Sequence, residues 1–168
     1  MNSVLKTIRE RRSVRKFTEV EVSDAALQSI LEAGRWAPSG LNNQPWRFVP
    51  VADASVREAV SKCTKYQKVM AAAPLHIAVF LDGDHSYNRI KDIQGIGACL
   101  QNMLLAVHSL GLGAVWMGEI LNRREEVEKI LGVPENYELM AVLAVGHGSV
   151  PPADSKRKPL SELVFKSF

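Results

Sequence analysis

Asp92 to Glu119 reads DIQGIGACLQNMLLAVHSLGLGAVWMGE, and its pattern decides the fold. Ile93, Ile96, Leu100, Leu104, Val107 and Leu110 recur at three and four, the period of an α-helix. Ala98, Cys99, Met103, Leu105 and Ala106 fill much of the remaining circumference, so the helix offers water almost no face. From Asp92 to Leu110 it runs roughly 28 Å at 1.5 Å per residue, about the width of a small domain, and is predicted to be the core. Gly111 and Gly113 end it. Ala114-Val115-Trp116-Met117 then reads as a short buried strand stopping at Gly118-Glu119, where backbone can approach a flat ligand closely.

The surrounding chain supplies material to cover such a helix. It has 168 residues, 46% of them hydrophobic, which predicts one domain over 1–168 with a real core. Asn2 to Glu10 places Val4, Leu5 and Ile8 on one helical face. Ser23 caps a second helix carrying Leu27, Ile30 and Leu31, which runs into Gly34 and is closed off by Pro38. The turn formers Ser39 to Pro45 deliver the chain into a strand, Trp46 to Val51. Asp53 or Ser55 caps a helix with Val56, Ala59, Val60 and Cys63 inward, and another helical piece ends before Pro74. Leu75 to Leu81 is almost continuously apolar, as a central strand covered on both faces would be. Asn122 and Glu125 have capping-box spacing for a helix ending at Gly132, and Leu139 to Val145 is the last strand. The tail from Val150 holds one short amphipathic turn within Leu160 to Phe165, and its Leu163, Val164, Phe165 and Phe168 want a surface to lie on.

Several chemistries are disfavoured by spacing. Gly95-Ile96-Gly97 lacks both the third glycine and a preceding strand, so it is no dinucleotide cradle. His76, His85, His108 and His147 lie far apart and read as packed or solvated, with no metal site implied. Cys63 and Cys99 have no CxxC spacing and read as buried free thiols, which fits a reducing, cytoplasmic location. Neither a signal peptide nor a transmembrane helix is expected. Net charge is only +3, so local clusters matter more than the total. Arg11-Arg12-Ser13-Val14-Arg15 and Lys156-Arg157-Lys158 are such clusters. Taken alone each reads as solvated surface, and the absence of an aromatic-basic stripe argues against nucleic acid. A hydroxyl among guanidinium forks, at a helix end, nevertheless suits a phosphate monoester.

Arg11-Arg12-Ser13-Val14-Arg15-Lys16-Phe17 is followed by Ala37-Pro38-Ser39-Gly40-Leu41-Asn42-Asn43-Gln44-Pro45-Trp46-Arg47-Phe48. Further on come Gly111-Leu112-Gly113-Ala114-Val115-Trp116-Met117-Gly118, Ala144-Val145-Gly146 and Arg157-Lys158-Pro159-Leu160. In this order the motifs resemble the nitroreductase family of FMN flavoproteins, over nearly the whole chain. The resemblance implies an α+β fold, with a mixed central sheet flanked by helices, a long buried core helix at the dimer seam, and an intertwined homodimer with FMN at the subunit interface.

It also implies residue roles. Arg11 and Arg157 would hold the FMN phosphate with Ser13 beside them, Arg12 and Lys158 belonging to the same cofactor site. Arg15 would approach the pyrimidine edge and stabilise the electron-rich ring. Pro38, Ser39, Gly40 and Asn42 would reach the partner subunit's flavin. Met117, Gly118 and Glu119 would lie at the ring, the last two with backbone by N5. Gln67, near Lys68, falls where larger members carry flavin-binding residues. The implied activity is an FMN-dependent oxidoreductase passing hydride from NADH or NADPH to a nitroaromatic, quinone or similar small-molecule acceptor by ping-pong exchange. No side-chain acid or base is needed, since the flavin carries the chemistry. Reductive dehalogenation or flavin breakdown on the same scaffold is the alternative, and a non-catalytic binding module the third reading. No nucleic-acid or membrane partner is expected.

Overall fold

The computed structural model describes residues 2–151 and 153–167. In chain order the elements are α1 (Ser3–Glu10), α2 (Asp24–Arg35), β1 (Trp46–Val51), α3 (Ala54–Ser61), α4 (Gln67–Ala72), β2 (Leu75–Asp82), α5 (Arg89–Ser109), β3 (Gly113–Met117), α6 (Arg124–Leu131), β4 (Tyr137–Gly146) and α7 (Leu160–Leu163). Together they form an α+β fold around a sheet of order β1-β2-β4-β3. The four strands pair antiparallel, and the parallel pairing is a bridge from Ser13 to Ala114 on the outer edge of β3. Pro50, which has no N–H to give, sits in the edge strand β1, where a missing ladder donor is tolerated.

β2 is buried along its whole length, and its alternation divides the core in two. Leu75, Ile77, Val79 and Leu81 meet Ile30 of α2 and Ile96, Leu100, Met103 and Val107 of α5. Ala78 and Phe80 face the other way, toward Val60, Met70, Ile120 and Val127. Val79 pairs with Ala141 but Phe80 with Leu139, so Met140 is the extra residue of a β-bulge in β4.

α5 begins three residues before the predicted start, capped by Asn88, whose side chain accepts from the Lys91 N–H. Its end is a Schellman turn. The Leu112 N–H reaches the Val107 carbonyl at 3.0 Å, the Gly111 N–H reaches His108 at 3.1 Å, and Gly111 has φ +74°. Gly113 plays a different part from the predicted helix stop. It opens β3, and a Cβ there would lie 2.7 Å from the Val14 side chain, so glycine lets the basic segment pack on the strand edge.

Three local readings are corrected. Trp116 is exposed, although the strand it sits in is otherwise buried. Asn122 does not cap α6, because residues Glu119–Arg123 first wind as a 3-10 turn and the Asn122 amide donates to Glu119 instead. Cys63 lies beyond the end of α3, in a turn, and is buried there as Cys99 is in α5. Burial pushes the Cys99 thiol up to about 12, leaving it inert.

Within this chain α5 is covered on one face. Gly97, Ala98, Gln101, Leu105 and Ala106 remain half-buried, and a groove of about 510 Å³ runs between α1, α2 and α5, lined by Val4, Trp36, Leu105 and Ala106 among others. In the tail Leu163 and Val164 are exposed and Phe165 entirely so, while Phe168 lies outside the described residues. No helix among the described residues is long and apolar enough to cross a membrane, and no His, Cys, Asp or Glu cluster among them could hold a metal.

Candidate active site

Arg11 follows α1 directly, and its N–H caps that helix by reaching the Thr7 carbonyl at 3.0 Å. From there the chain runs extended along the outer edge of β3, pinned by the Val14 N–H on the Ala114 carbonyl at 2.9 Å. Ser13 bridges Ala114 in parallel, and the chain then turns toward the end of β4, where Phe17 bridges Gly148 and the Thr18 N–H reaches the His147 carbonyl at 2.9 Å. Two cavities draw on this basic segment and on β3. The first, about 410 Å³, is lined by Arg11, Arg12, His108, Gly111, Gly113 and Ser149 among others. The second, about 250 Å³, is lined by Arg15, Tyr66, Val69, Val115, Trp116, Met117, Gly118 and Glu119.

The first cavity is cationic and incompletely satisfied. Nε of Arg11 is buried with no hydrogen-bond partner among the described residues. Burial lowers the Arg11 pKa, and the neighbouring charges of Arg157 and Arg12 lower it further. Like charges gathered around an orphaned buried donor fit an anion that brings its own acceptor oxygens. Arg12 spends one nitrogen on the carbonyls of Arg9 at 2.5 Å and Arg11 at 2.9 Å, tying down the end of α1. Arg157 donates to the Ser155 hydroxyl and the Lys156 carbonyl, and Lys158 pairs with Glu162 at 3.7 Å. Ser13 is exposed and is not among the residues lining this cavity. His108, read from sequence as structural, stands in the wall of this cavity.

The second cavity is smaller, more enclosed and partly aromatic. Gly118 has an ordinary φ of −83°, and a Cβ added to it would meet only the Trp116 indole Nε1, at 4.0 Å. Neither backbone conformation nor packing within the chain asks for glycine there, so the open space is available to a ligand. The Glu119 carboxylate is already engaged. It accepts from the Thr64 hydroxyl and from the Lys65 N–H at 3.1 Å, and the Thr64 bond above all holds its pKa below the usual range. What Glu119 can offer the cavity is backbone. Gln67 is exposed at the start of α4 and is not among the lining residues, which come instead from Tyr66 and Val69. Those two, with Trp116, were missed in the sequence. Tyr66 and Val69 at spacing three share one helical face, but only the packing of α4 tells which face looks at β3.

Pro38, Ser39, Gly40 and Asn42 are elsewhere. Their loop lies on the first turns of α5, where a Cβ on Gly95 would sit 3.4 Å from the Pro38 carbonyl and one on Gly40 would collide with the Tyr87 ring. Ser39 Oγ accepts from the Gln44 N–H at 3.1 Å, and Leu41, Asn42 and Gln44 hold φ of 55°, 55° and 47°. Three non-glycine residues in the left-handed region mark stored strain, and Leu41 is 85% exposed. Between Gly95 and His108 the helix spans roughly 20 Å. One chain therefore does not bring this loop to the arginines.

An α+β fold thus carries an arginine-lined cavity and a partly aromatic one along the same basic segment. The family model described as Nitroreductase family matches residues 8–65 and 51–147, and the chain belongs to that family. A crystal structure of a protein from Desulfovibrio desulfuricans, assigned as a nitroreductase and in complex with FMN, superposes with a TM-score of 0.95 at 46% identity, covering 99% of this chain and 98% of that one. A protein of Archaeoglobus fulgidus assigned as an NADH dehydrogenase/NAD(P)H nitroreductase is 34% identical, over 93% of this chain and 89% of its own length. The NADPH-flavin oxidoreductase of Vibrio harveyi is 31% identical, over 99% of this chain and 75% of its own.

Proposed function

We propose that the protein is an FMN-dependent oxidoreductase, a homodimer that takes two electrons from NADH or NADPH and delivers them to a small flat acceptor such as a nitroaromatic or a quinone. The observation that carries this reading is an arginine-lined cavity and a partly aromatic one, both drawing their walls from the basic segment at Arg11–Arg15 and from β3, where Ser13 bridges Ala114. Arg11, with Arg157 and Ser13, would hold the phosphate through charge-assisted bonds. Arg15, always protonated, would favour the electron-rich ring, and the Gly118-Glu119 backbone would face its reactive edge. FMN, when bound, supplies hydride acceptance and donation. Because the Glu119 carboxylate is occupied by Thr64 and Lys65, the second cavity offers no free carboxylate to act as a base.

The dimer follows from distance. The strained loop at Pro38–Asn42 and the arginine cavity lie at opposite ends of α5, and a second copy packed on the half-buried strip Gly97-Ala98-Gln101-Leu105-Ala106 would bring one copy's loop to the other's cavity. The apolar groove beside α1 and the exposed Leu163, Val164 and Phe165 give such a partner further surface to cover.

With one exposed flavin face for both to meet, donor and acceptor would take turns. Steady-state lines at several acceptor concentrations should be parallel in a double-reciprocal plot, and anaerobic NADH or NADPH alone should bleach the bound flavin. Intersecting lines would contradict a shared flavin face, and a purified protein that neither carries nor takes up FMN would contradict the whole reading.

A further inference from the structure

Two carboxylates are buried among the described residues, Asp82 at the end of β2 and Asp92 in the first turn of α5, and both are spent on one loop. Asp92 accepts from the Asn43 amide at 2.8 Å. Asp82 pairs with Arg47 at 2.6 Å, and the other terminal nitrogen of Arg47 donates to the Gln44 carbonyl at 3.2 Å and the Trp46 carbonyl at 2.8 Å. The Asp82 N–H adds a bond to the Pro45 carbonyl at 2.8 Å. These two arms meet at His85, whose ring lies 2.8 Å from the Asp82 carboxylate and whose carbonyl takes the Asn43 amide at 2.7 Å. Asp92 also accepts the Tyr87 N–H, and the Tyr87 ring fills the place where a Cβ on Gly40 would stand. The loop is thus tied to the end of β2, to the start of α5 and to the turn between them.

What these ties hold is a shape the loop would not keep alone. Leu41, Asn42 and Gln44 stand in the left-handed region around Asn43, and such strain persists only where the surroundings over-determine it. Asn43 Oδ1 is buried without a partner among the described residues, so this amide is kept for its two donors at a cost to stability. Leu41 gains nothing by packing, since it points outward. We infer that Asp82 and Asp92, acting through Arg47 and Asn43, are positioning residues for the partner subunit's flavin, because they hold Pro38–Asn42 in the form that reaches across the dimer. This rests on the FMN reading above and adds to it the groups that set the loop before the cofactor arrives.

Two variants cut the ties and spare the carboxylates. Asn43→Ala removes the amide, and Arg47→Lys keeps a cation for Asp82 but has one nitrogen where the arginine uses two. In each apoprotein, hydrogen exchange at the Asn42, Asn43 and Gln44 amides, which bond Ser39 and Gly40, should speed by about tenfold. Each homodimer should also release FMN about tenfold faster than wild type. Action across the dimer supplies the readout that a role in folding alone would not move. In a mixed dimer of Arg11→Ala with Asn43→Ala, the site with intact arginines belongs to the Asn43→Ala chain but takes its loop from the other copy, so its FMN release should return to the wild-type rate. Release that stays fast in that dimer would overturn the proposal, since Asn43 would then act on the site of its own chain. Wild-type release and exchange in both homodimers would overturn it while leaving FMN binding intact. Failure of the wild type to take up FMN would overturn the reading beneath it as well.

Discussion

The two ends of α5 are built on opposite principles. At its N-terminal end the buried carboxylate of Asp92 is fully used. One oxygen accepts from the Asn43 amide at 2.8 Å, and the other from the Ser86 hydroxyl at 2.7 Å and the Tyr87 and Asn88 N–H groups at 3.1 Å. Burial raises its pKa, but the bonds from Ser86, Asn43, Asn88 and Tyr87 outweigh that, and the net shift is downward. At the C-terminal end Arg11 is partly buried among other cations, and its Nε has no hydrogen-bond partner among the described residues. A satisfied buried charge organises a fold, whereas the donor left over at Arg11 is the one the proposed phosphate would use.

That contrast can be broken by mutation. Asp92→Ala should cost roughly 3 to 5 kcal/mol of folding free energy, because four donors lose their acceptor at once; urea denaturation measures it. A loss under about 1 kcal/mol would mean that the hub is dispensable. Arg11→Ala should leave that stability nearly unchanged, since the native chain gives Nε no partner, but should weaken FMN binding by about one to two decades, roughly 1.5 to 3 kcal/mol. Equal effects of both changes on stability would erase the distinction.

His76 gives the comparison a pH axis. Its ring is buried in β2, with Nε2 2.8 Å from the Met70 carbonyl and Nδ1 unpaired, and burial lowers its pKa from 6.5 to about 4. Between those values the unfolded chain binds the proton and the folded chain does not. The stability associated with neutral His76 is therefore complete above about pH 6.5 and is lost as pH falls toward 4, by roughly 3 kcal/mol. The contribution of Asp92, whose pKa is depressed, is lost only further down, below the ordinary carboxylate range. Urea melts across this range should show the decline, and His76→Gln should flatten its upper part. Gly118→Ala is the smallest change proposed, with unaltered melting and FMN affinity lowered by about tenfold, because the added methyl occupies space only a ligand uses.

Periodicity carried the sequence reading far. β1 begins and ends where the sequence places it after the turn formers Ser39 to Pro45, Ser23 caps α2, and the apolar run at Leu75 is a central strand. What escaped were features that tertiary contacts decide. Asn122 and Glu125 have the spacing of a cap, but Glu119 is drawn to Thr64 and the chain turns before α6 can begin. Trp116 looks like any core aromatic until the sheet order puts β3 at an edge. Gln67 and Tyr66 are adjacent in sequence, and only the docking of α4 distinguishes the residue that faces the cavity. The arginines were legible through their motif, while the roughly 20 Å along α5 that separates them from the Pro38–Asn42 loop was visible only in three dimensions.

That separation is the central claim, and mixed dimers test it most directly. Arg11→Ala damages one half of the site and Asn42→Arg, at the far end of α5, the other. Each variant alone should form dimers that bind FMN weakly at both sites. Co-expressed and isolated with two affinity tags, the mixed dimer should recover one flavin per pair at wild-type affinity, because one site collects both defects and the other receives none. No recovery in the mixed dimer, or a folded monomer that binds FMN as tightly as wild type, would show that each chain builds its site alone.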